Sequence, residues 1–307
     1  MAPSARIRLD GVSSPIPTPF APDGRVDFEK LAANLAAWNR QPLTAYIVGG
    51  SNGEFVSLSV DERVEVVRQA RQAIPADRPL LAGAGMESTR ETVVLCERMA
   101  AAGADAVIVV TPGYYKGQLG VGPLTGHYRQ VAQASPVPVL LYNVPRNTGV
   151  DLPLAAVLEL AGHPNVIGIK DSGGDIARLA RIVHVCPPAF QVLAGSGGML
   201  LPALAVGAGG CIAALANLAA PQLAAVGEAF QRGELEPARR RQAALLEVNH
   251  AVTAGHGVPG LKAALDLLGL YGGPVRPPLQ PLGEAERAEL RAALGRAGLL
   301  DEARTSS

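Results

Sequence analysis

The sequence predicts an α/β fold: a single (β/α)8 TIM barrel followed by a helical C-terminal extension. Eight apolar runs of strand length recur over residues 1–220, each followed by a segment of helical periodicity. The runs are apolar throughout rather than alternating, which is the pattern of parallel strands covered on both faces. From about Pro221 onward the strand signals stop and only helical patterns remain. We therefore expect a catalytic barrel over residues 1–220 and a helical extension packed on it over 221–307. A doubly wound open sheet is the competing arrangement. It fits less well, because no G-x-G-x-x-G follows the first strand and the repeat runs to eight units.

The first strand is expected at 14–18, where the prolines are tolerated at strand ends. Strands follow at 45–49 and 80–83, and at 105–111, the richest in β-branched residues. The remaining runs lie at 137–142, at 165–170 ending on Lys170, at 190–195 and at 210–214. Ser59 with Glu62, and Ser88 with Glu91, have the spacing of capping boxes, and Gly103 stops the second of these helices. Pro153 opens a helix behind Asp151, and Asp175 opens the one after the lysine strand. The extension reads as helices at 222–232, 235–254, 259–269 and 283–297, with a Pro/Gly-rich link at 272–281.

At 307 residues and 48% hydrophobic, the chain can bury a large core. Its formal net charge is zero and nothing in it resembles a basic stripe, which argues against nucleic acid or a membrane surface as partner. The cysteines, Cys96, Cys186 and Cys211, are scattered and odd in number, as expected in a reducing compartment without a structural zinc site. The segment 1–9 lacks the apolar core of a secretory leader, and no apolar run is long enough to span a bilayer. A cytoplasmic location is expected.

In a barrel of this kind, the C-terminal ends of the strands converge on one face. Those ends carry Ser51 and Asn52, Tyr114 and Tyr115, Tyr142 and Asn143, Lys170 to Ser172, Gly195 and Ser196, and Ile212. The lysine stands out because the chain uses only four, Lys30, Lys116, Lys170 and Lys262, against 23 arginines. The other three read as solvated: Lys30 at a helix start, Lys116 in a Gly-rich loop, Lys262 in an amphipathic helix. Two readings of Lys170 fit the local sequence. One is a nucleophilic amine, activated by burial; the other is a buried ion pair with Asp171 or another acid. An amine, tyrosine hydroxyls, small hydroxyl and amide donors and backbone N–H groups together suit a 2-oxo acid. The amine attacks the ketone, the donors bind the carboxylate and a phenol shuttles protons. Each part also has a plain structural use: Tyr142 as a core aromatic, Ser51-Asn52 as a turn, Gly195 to Gly198 as a tight turn or a phosphate cradle. The five histidines, His127, His163, His184, His250 and His256, show no metal-ligand spacing and read as structural.

Three motifs, Gly50-Ser51-Asn52-Gly53-Glu54, Tyr142-Asn143-Val144-Pro145 with Asn147-Thr148-Gly149, and Ile167-Gly168-Ile169-Lys170-Asp171-Ser172, resemble the signatures of the dihydrodipicolinate synthase/N-acetylneuraminate lyase family. These are class I, Schiff-base aldolases on a (β/α)8 barrel, and the resemblance covers nearly the whole chain. It implies Lys170 as imine-forming nucleophile, Tyr142 as proton-transfer residue, and Tyr114 as the tyrosine lent by a neighbouring subunit. A homotetramer, a dimer of dimers, follows from the same resemblance. Ser51 joins the proton relay and, with Asn52, anchors the substrate carboxylate. Ser172, Asn147, Gly195 and Ile212 complete the binding residues, and no metal or organic cofactor is implied. Within the family, synthases carry an arginine at the position of Asn147 and two threonines at Ser51-Asn52. The stretches 50–55, 114–117, 170–175, 191–196 and 257–262 are more similar to 4-hydroxy-2-oxoglutarate aldolase, with Asn143 a departure. The activity this implies is cleavage of 4-hydroxy-2-oxoglutarate to pyruvate and glyoxylate. The alternatives are condensation of pyruvate with aspartate semialdehyde, an aldolase or dehydratase of sugar-derived 2-oxo acids, and a catalytically silent small-acid-binding paralogue.

Overall fold

The computed structural model describes residues 7–300. Most of the segment read for a secretory leader, residues 1–6, lies outside the described residues, as do the last seven. Eight parallel strands close into a barrel in sequence order, β1 pairing with β8. They are β1 (Gly11–Pro15), β2 (Tyr46–Val48), β3 (Leu80–Gly83), β4 (Ala106–Val110), β5 (Val139–Asn143), β6 (Val166–Asp171), β7 (Gln191–Ala194) and β8 (Gly210–Ile212). The barrel helices are α1 (Phe28–Trp38), α2 (Val60–Ala73), α3 (Thr89–Ala101), α4 (Val121–Ala134), the short α5 (Pro145–Thr148), α6 (Leu154–Leu160), α7 (Ile176–Val185), α8 (Leu200–Ala205) and α9 (Ala216–Gln231). Beyond them lie α10 (Leu235–Ala244), α11 (Leu246–His250), a π-turn at Ala251–Gly255, α12 (Gly257–Leu267) and α13 (Glu284–Arg296). None of these helices is long and apolar enough to cross a membrane.

Two apolar clusters follow from the alternation of side chains along each strand. Ile47, Leu81, Ile108, Leu140, Tyr142, Leu193 and Ile212 fill the barrel interior. The opposite faces, with Val48, Ala82, Val109, Leu141, Ile169 and Val192, pack against the surrounding helices. Because Lys170 stands in register with Tyr142 on one side and Leu193 on the other, it belongs to the interior set. Asp171, in register with Asn143 and Ala194, points outward.

The expected capping box at Ser59 forms in full, while at Ser88 only the serine half of the box is made. Ser59 Oγ accepts from Glu62 N at 3.1 Å and Ser59 N donates to Glu62 Oε2 at 2.9 Å. Ser88 Oγ accepts from Glu91 N at 3.2 Å. Departures arise where tertiary contacts outweigh local pattern. The first strand begins at Gly11 rather than at 14, since its N-terminal half pairs with β8. Pro153 precedes α6 instead of opening it, and Asp151 accepts from Asn143 Nδ2 at 2.7 Å instead of capping the helix. The helix expected at 222–232 starts at Ala216, kinks at Ala219 ahead of Pro221, and runs across residue 220. The stretch 235–254 is divided into α10, α11 and the π-turn.

Lys262 is a correction. It is 1% exposed, and its ammonium faces Glu54 Oε1 at 2.5 Å. The carboxylate that holds it sits in the loop after β2, so nothing near Lys262 in sequence announces it. A second ion pair closes the link at 272–281 onto the barrel: Arg276 Nη1 donates to Glu62 Oε2 at 2.9 Å and Nη2 to Oε1 at 2.5 Å. The Arg276 guanidinium holds the Glu62 carboxyl down to about 2, from a model-peptide value of 4.5, with Ser59 N adding to the effect. A depressed carboxyl contributes stability that is complete above its unfolded value and is lost as pH falls through its folded one. We expect the stability advantage of the wild-type protein over Glu62→Gln to shrink as pH drops from about 4.5 towards 2, measured by denaturant unfolding at each pH. An advantage independent of pH would contradict the clamp.

Candidate active site

Strand register assembles the centre of the site. The Lys170 ammonium lies 4.3 Å from the centroid of the Tyr142 ring, its neighbour across β5 and β6. Tyr142 Oη is 3.4 Å from Ser51 Oγ, which enters from the one-turn helix Ser51–Gly53 after β2. Lys170 and Tyr142 are both 6% exposed. The amine is therefore enclosed, and its partner is a phenol rather than an acid.

Asp171, the carboxylate named as a possible partner for Lys170, is otherwise engaged. Its Oδ2 accepts from Arg178 Nε at 2.9 Å and from Asn143 Nδ2 at 3.1 Å, while Oδ1 accepts from Gly173 N at 2.7 Å. The fully buried carboxylate thus ties β6 to β5 and α7 from outside the barrel. Among the described residues no ion pair reaches Lys170. The ion-pair reading drawn from the local sequence is not the arrangement found.

Cys211, a second potential nucleophile, lies on the outward face of β8 in register with Val12 and Ala194. Burial pushes its thiol up to about 12, with the Lys170 charge opposing the shift, so it stays protonated at neutral pH. No group of three or more His, Cys, Asp or Glu able to hold a metal ion occurs among the described residues. His127, buried against Thr89 Oγ1 at 2.9 Å, has its pKa lowered to about 4 by desolvation and is a neutral structural group.

The other expected residues distribute around this centre. A cleft of about 750 Å³ opens beside it, lined by Ser51, Tyr114 and Asn147 among others, and Ser51 also borders the small cavity lined by Tyr142. Ser51 is the junction between the enclosed centre and the open cleft. Asn147 is exposed on α5, and the adjacent Arg146 donates to Ala254 O at 2.9 Å, which fastens α5 to the π-turn. Tyr114 is 78% exposed and packs edge-on against Tyr115 at 5.0 Å. Asn52 makes one long contact, Nδ2 to Pro15 O at 3.4 Å. Ile212 lies in the interior with Tyr142.

Gly195 and Ser172 meet at the ends of β7 and β6. The Gly195 N–H is already donated to Asp171 O at 2.7 Å, so what this glycine offers its neighbours is its small size. A Cβ there would fall 1.8 Å from Ser172 Oγ and 2.9 Å from Ser172 Cα.

Two residues escaped the sequence reading. Arg63 on α2 is 3% exposed and lines both cavities; its Nη2 donates to Gly83 O at 2.8 Å and Gly85 O at 3.3 Å, and desolvation lowers its pKa to about 10. The only local signal was a cation at a core-facing helix position. Glu54, 2% exposed, was visible as part of a motif but without a role.

Gly195→Ala is expected to destabilise the protein by about 1–3 kcal/mol, the usual consequence of overpacking a close contact. Guanidinium unfolding measures it. An unchanged midpoint would contradict the Gly195–Ser172 packing.

Comparisons with known proteins agree with this architecture. Residues 8–297 match the model of the dihydrodipicolinate synthetase family. An uncharacterized DapA-like lyase of Halobacterium salinarum is 39% identical over 301 residues, covering 95% of each chain. The crystal structure of the Bacillus anthracis dihydrodipicolinate synthase DapA-2 superposes with a TM-score of 0.91 at 31% identity, covering 94% of this chain and 98% of the other. YagE from E. coli K12, a prophage protein of the same family solved with pyruvate, gives 0.88 at 31% identity, covering 95% and 99%. With an eight-stranded barrel, a match over almost the whole described length and relatives above 30% identity, the chain belongs to the dihydrodipicolinate synthetase family and is a carbon–carbon lyase.

Proposed function

We propose that the protein is a class I aldolase that forms an imine between Lys170 and a 2-oxo acid, and that its substrate is 4-hydroxy-2-oxoglutarate. The observation that carries this reading is the enclosed Lys170 amine over the Tyr142 ring, with Ser51 Oγ 3.4 Å from the phenol oxygen.

In this scheme the Lys170 Nζ lone pair attacks C2, the carbinolamine loses water, and the protonated imine becomes the electron sink. Tyr142, with Ser51 and Tyr114 as relay partners, takes the proton of the 4-hydroxyl. The C3–C4 bond breaks, its electrons pass into the imine to give an enamine, and glyoxylate leaves. Protonation of the enamine carbon and hydrolysis of the imine release pyruvate and restore Lys170. The imine does what a metal does in other aldolases, so no metal or organic cofactor enters. Ser51 and Asn52 anchor the C1 carboxylate, Ser172 and Asn147 stand towards the second one, and Gly195 leaves Ser172 the room it needs. The Ile212 carbonyl accepts from the imine region.

Asn147 supports the choice of substrate, because the family's synthases carry an arginine there and Arg146 is occupied by Ala254 O. The exposure of Tyr114 suits a homotetramer in which this tyrosine crosses to a neighbouring subunit's site. A second reading, 4-hydroxy-tetrahydrodipicolinate synthesis from pyruvate and aspartate semialdehyde, is favoured by the name of the Bacillus anthracis structure.

Steady-state assays on both reactions separate the two. We expect the larger kcat/KM for cleavage of 4-hydroxy-2-oxoglutarate, with a loss of about 10²–10⁴ in kcat for Tyr142→Phe, the range for removing a general acid–base group. Faster condensation of pyruvate with aspartate semialdehyde would overturn the substrate assignment.

A further inference from the structure

Among the described residues, the two most completely shielded opposite charges facing one another lie outside the chemistry just described. Glu54 and Lys262 are 2% and 1% exposed, and Lys262 Nζ lies 2.5 Å from Glu54 Oε1. Lys262 Nζ also donates to Pro274 O at 2.8 Å and stands 4.2 Å from the centroid of the Phe20 ring. Glu54 Oε2 accepts from Arg276 N at 3.0 Å, and the Arg276 guanidinium covers the same Phe20 ring at 4.4 Å. Burial works against the Lys262 charge, and Glu54 is the first of the groups that sustain it. Such a pair is poor value as a stabiliser, since hydrophobic residues of similar volume often do as well; its worth lies in fixing a geometry.

The geometry it fixes is at the site. Glu54 has φ 55° and ψ 36° and is the one non-glycine residue with positive φ among the described residues. A bulky side chain keeps that left-handed conformation only where its surroundings impose it. Glu54 closes the turn Ser51–Gly53: its N–H donates to Ser51 O at 3.2 Å, while Gly53 O accepts from Thr18 Oγ1 at 2.7 Å. Ser51 on that turn is the residue in reach of Tyr142 Oη. A continuous chain of contacts thus runs from α12 through Glu54 and Ser51 to Tyr142.

We propose that Glu54 and Lys262 are positioning residues whose buried ion pair holds the Ser51–Asn52 turn in register with Tyr142, so that the C-terminal extension is a working part of the active site. For its catalytic consequence, the inference rests on the function proposed above. It assigns the pair no contact with substrate.

The test compares Glu54→Gln, Lys262→Met and the double variant with wild type, because removing one partner alone strands a buried charge whereas removing both does not. Thermal unfolding reports stability, hydrogen exchange of the peptide spanning 50–57 reports the turn, and steady-state kinetics on the 2-oxo acid report catalysis. The double variant is expected to regain most of the stability lost in Lys262→Met. Its turn should nevertheless exchange faster than in wild type, and its kcat/KM should stay at least about tenfold down. Wild-type exchange at 50–57 in the double variant, or kcat/KM recovering together with stability, would overturn the proposal and leave the pair as a fold-stabilising contact. If the double variant does not fold, Glu54→Gln is judged by the same two readings. Wild type that turns over no 2-oxo acid would sink the proposed function instead, while the exchange measurement would still decide whether the pair positions the turn.

Discussion

A closed eight-stranded barrel leaves each strand residue one of two fates, and for Lys170 the register with Tyr142 and Leu193 dictates the interior. The site depends on that constraint. A one-residue slip of β6 would exchange Lys170 for Asp171, turning the amine out to the helices and a carboxylate into an apolar core. The slip is blocked from outside: Asp171 is locked by Arg178, Asn143 and the Gly173 N–H. The acid next to the lysine is therefore not its partner but the anchor that keeps the lysine facing inward.

The barrel interior then does two things at once. Leu140, Leu193 and Ile212 give the amine an apolar surrounding, and Tyr142 gives it a polarisable face and one hydroxyl. Ser51 carries that hydroxyl's contact outwards, from the enclosed centre to the cleft where Tyr114 and Asn147 stand. The dry half of the site is built from strands and the wet half from loops, the usual division in a barrel whose scaffold is rigid and whose loops vary. The extension braces the loop half through Arg276 on Glu62 and Lys262 on Glu54.

Most of the barrel was legible because its signals are local. Apolar runs, the capping box at Ser59, and the N-caps at Ser88 and Asp175 are read within a few residues, and all appear in the structure. The place of Lys170 at the end of its strand was legible for the same reason, while its inward face follows from the register with Tyr142 and Leu193. What stayed hidden depends on partners distant in sequence. Lys262 looked like a surface lysine because its carboxylate belongs to the loop after β2, and Asp151 looked like a helix cap because Asn143 was not visible as its competitor. Arg63, whose Nη2 is held by the carbonyls of Gly83 and Gly85, has no charge partner among the described residues that a pattern could reveal. The kink of α9 at Ala219 likewise reflects packing combined with Pro221.

The proposed chemistry passes through one bond, between the Lys170 nitrogen and the carbonyl carbon of a 2-oxo acid. Incubation with pyruvate and borohydride, followed by peptide mass mapping, tests it directly. A single reduced adduct is expected on the peptide carrying Lys170, and none on Lys30, Lys116 or Lys262. An adduct elsewhere, or no adduct at all, would contradict the proposed chemistry.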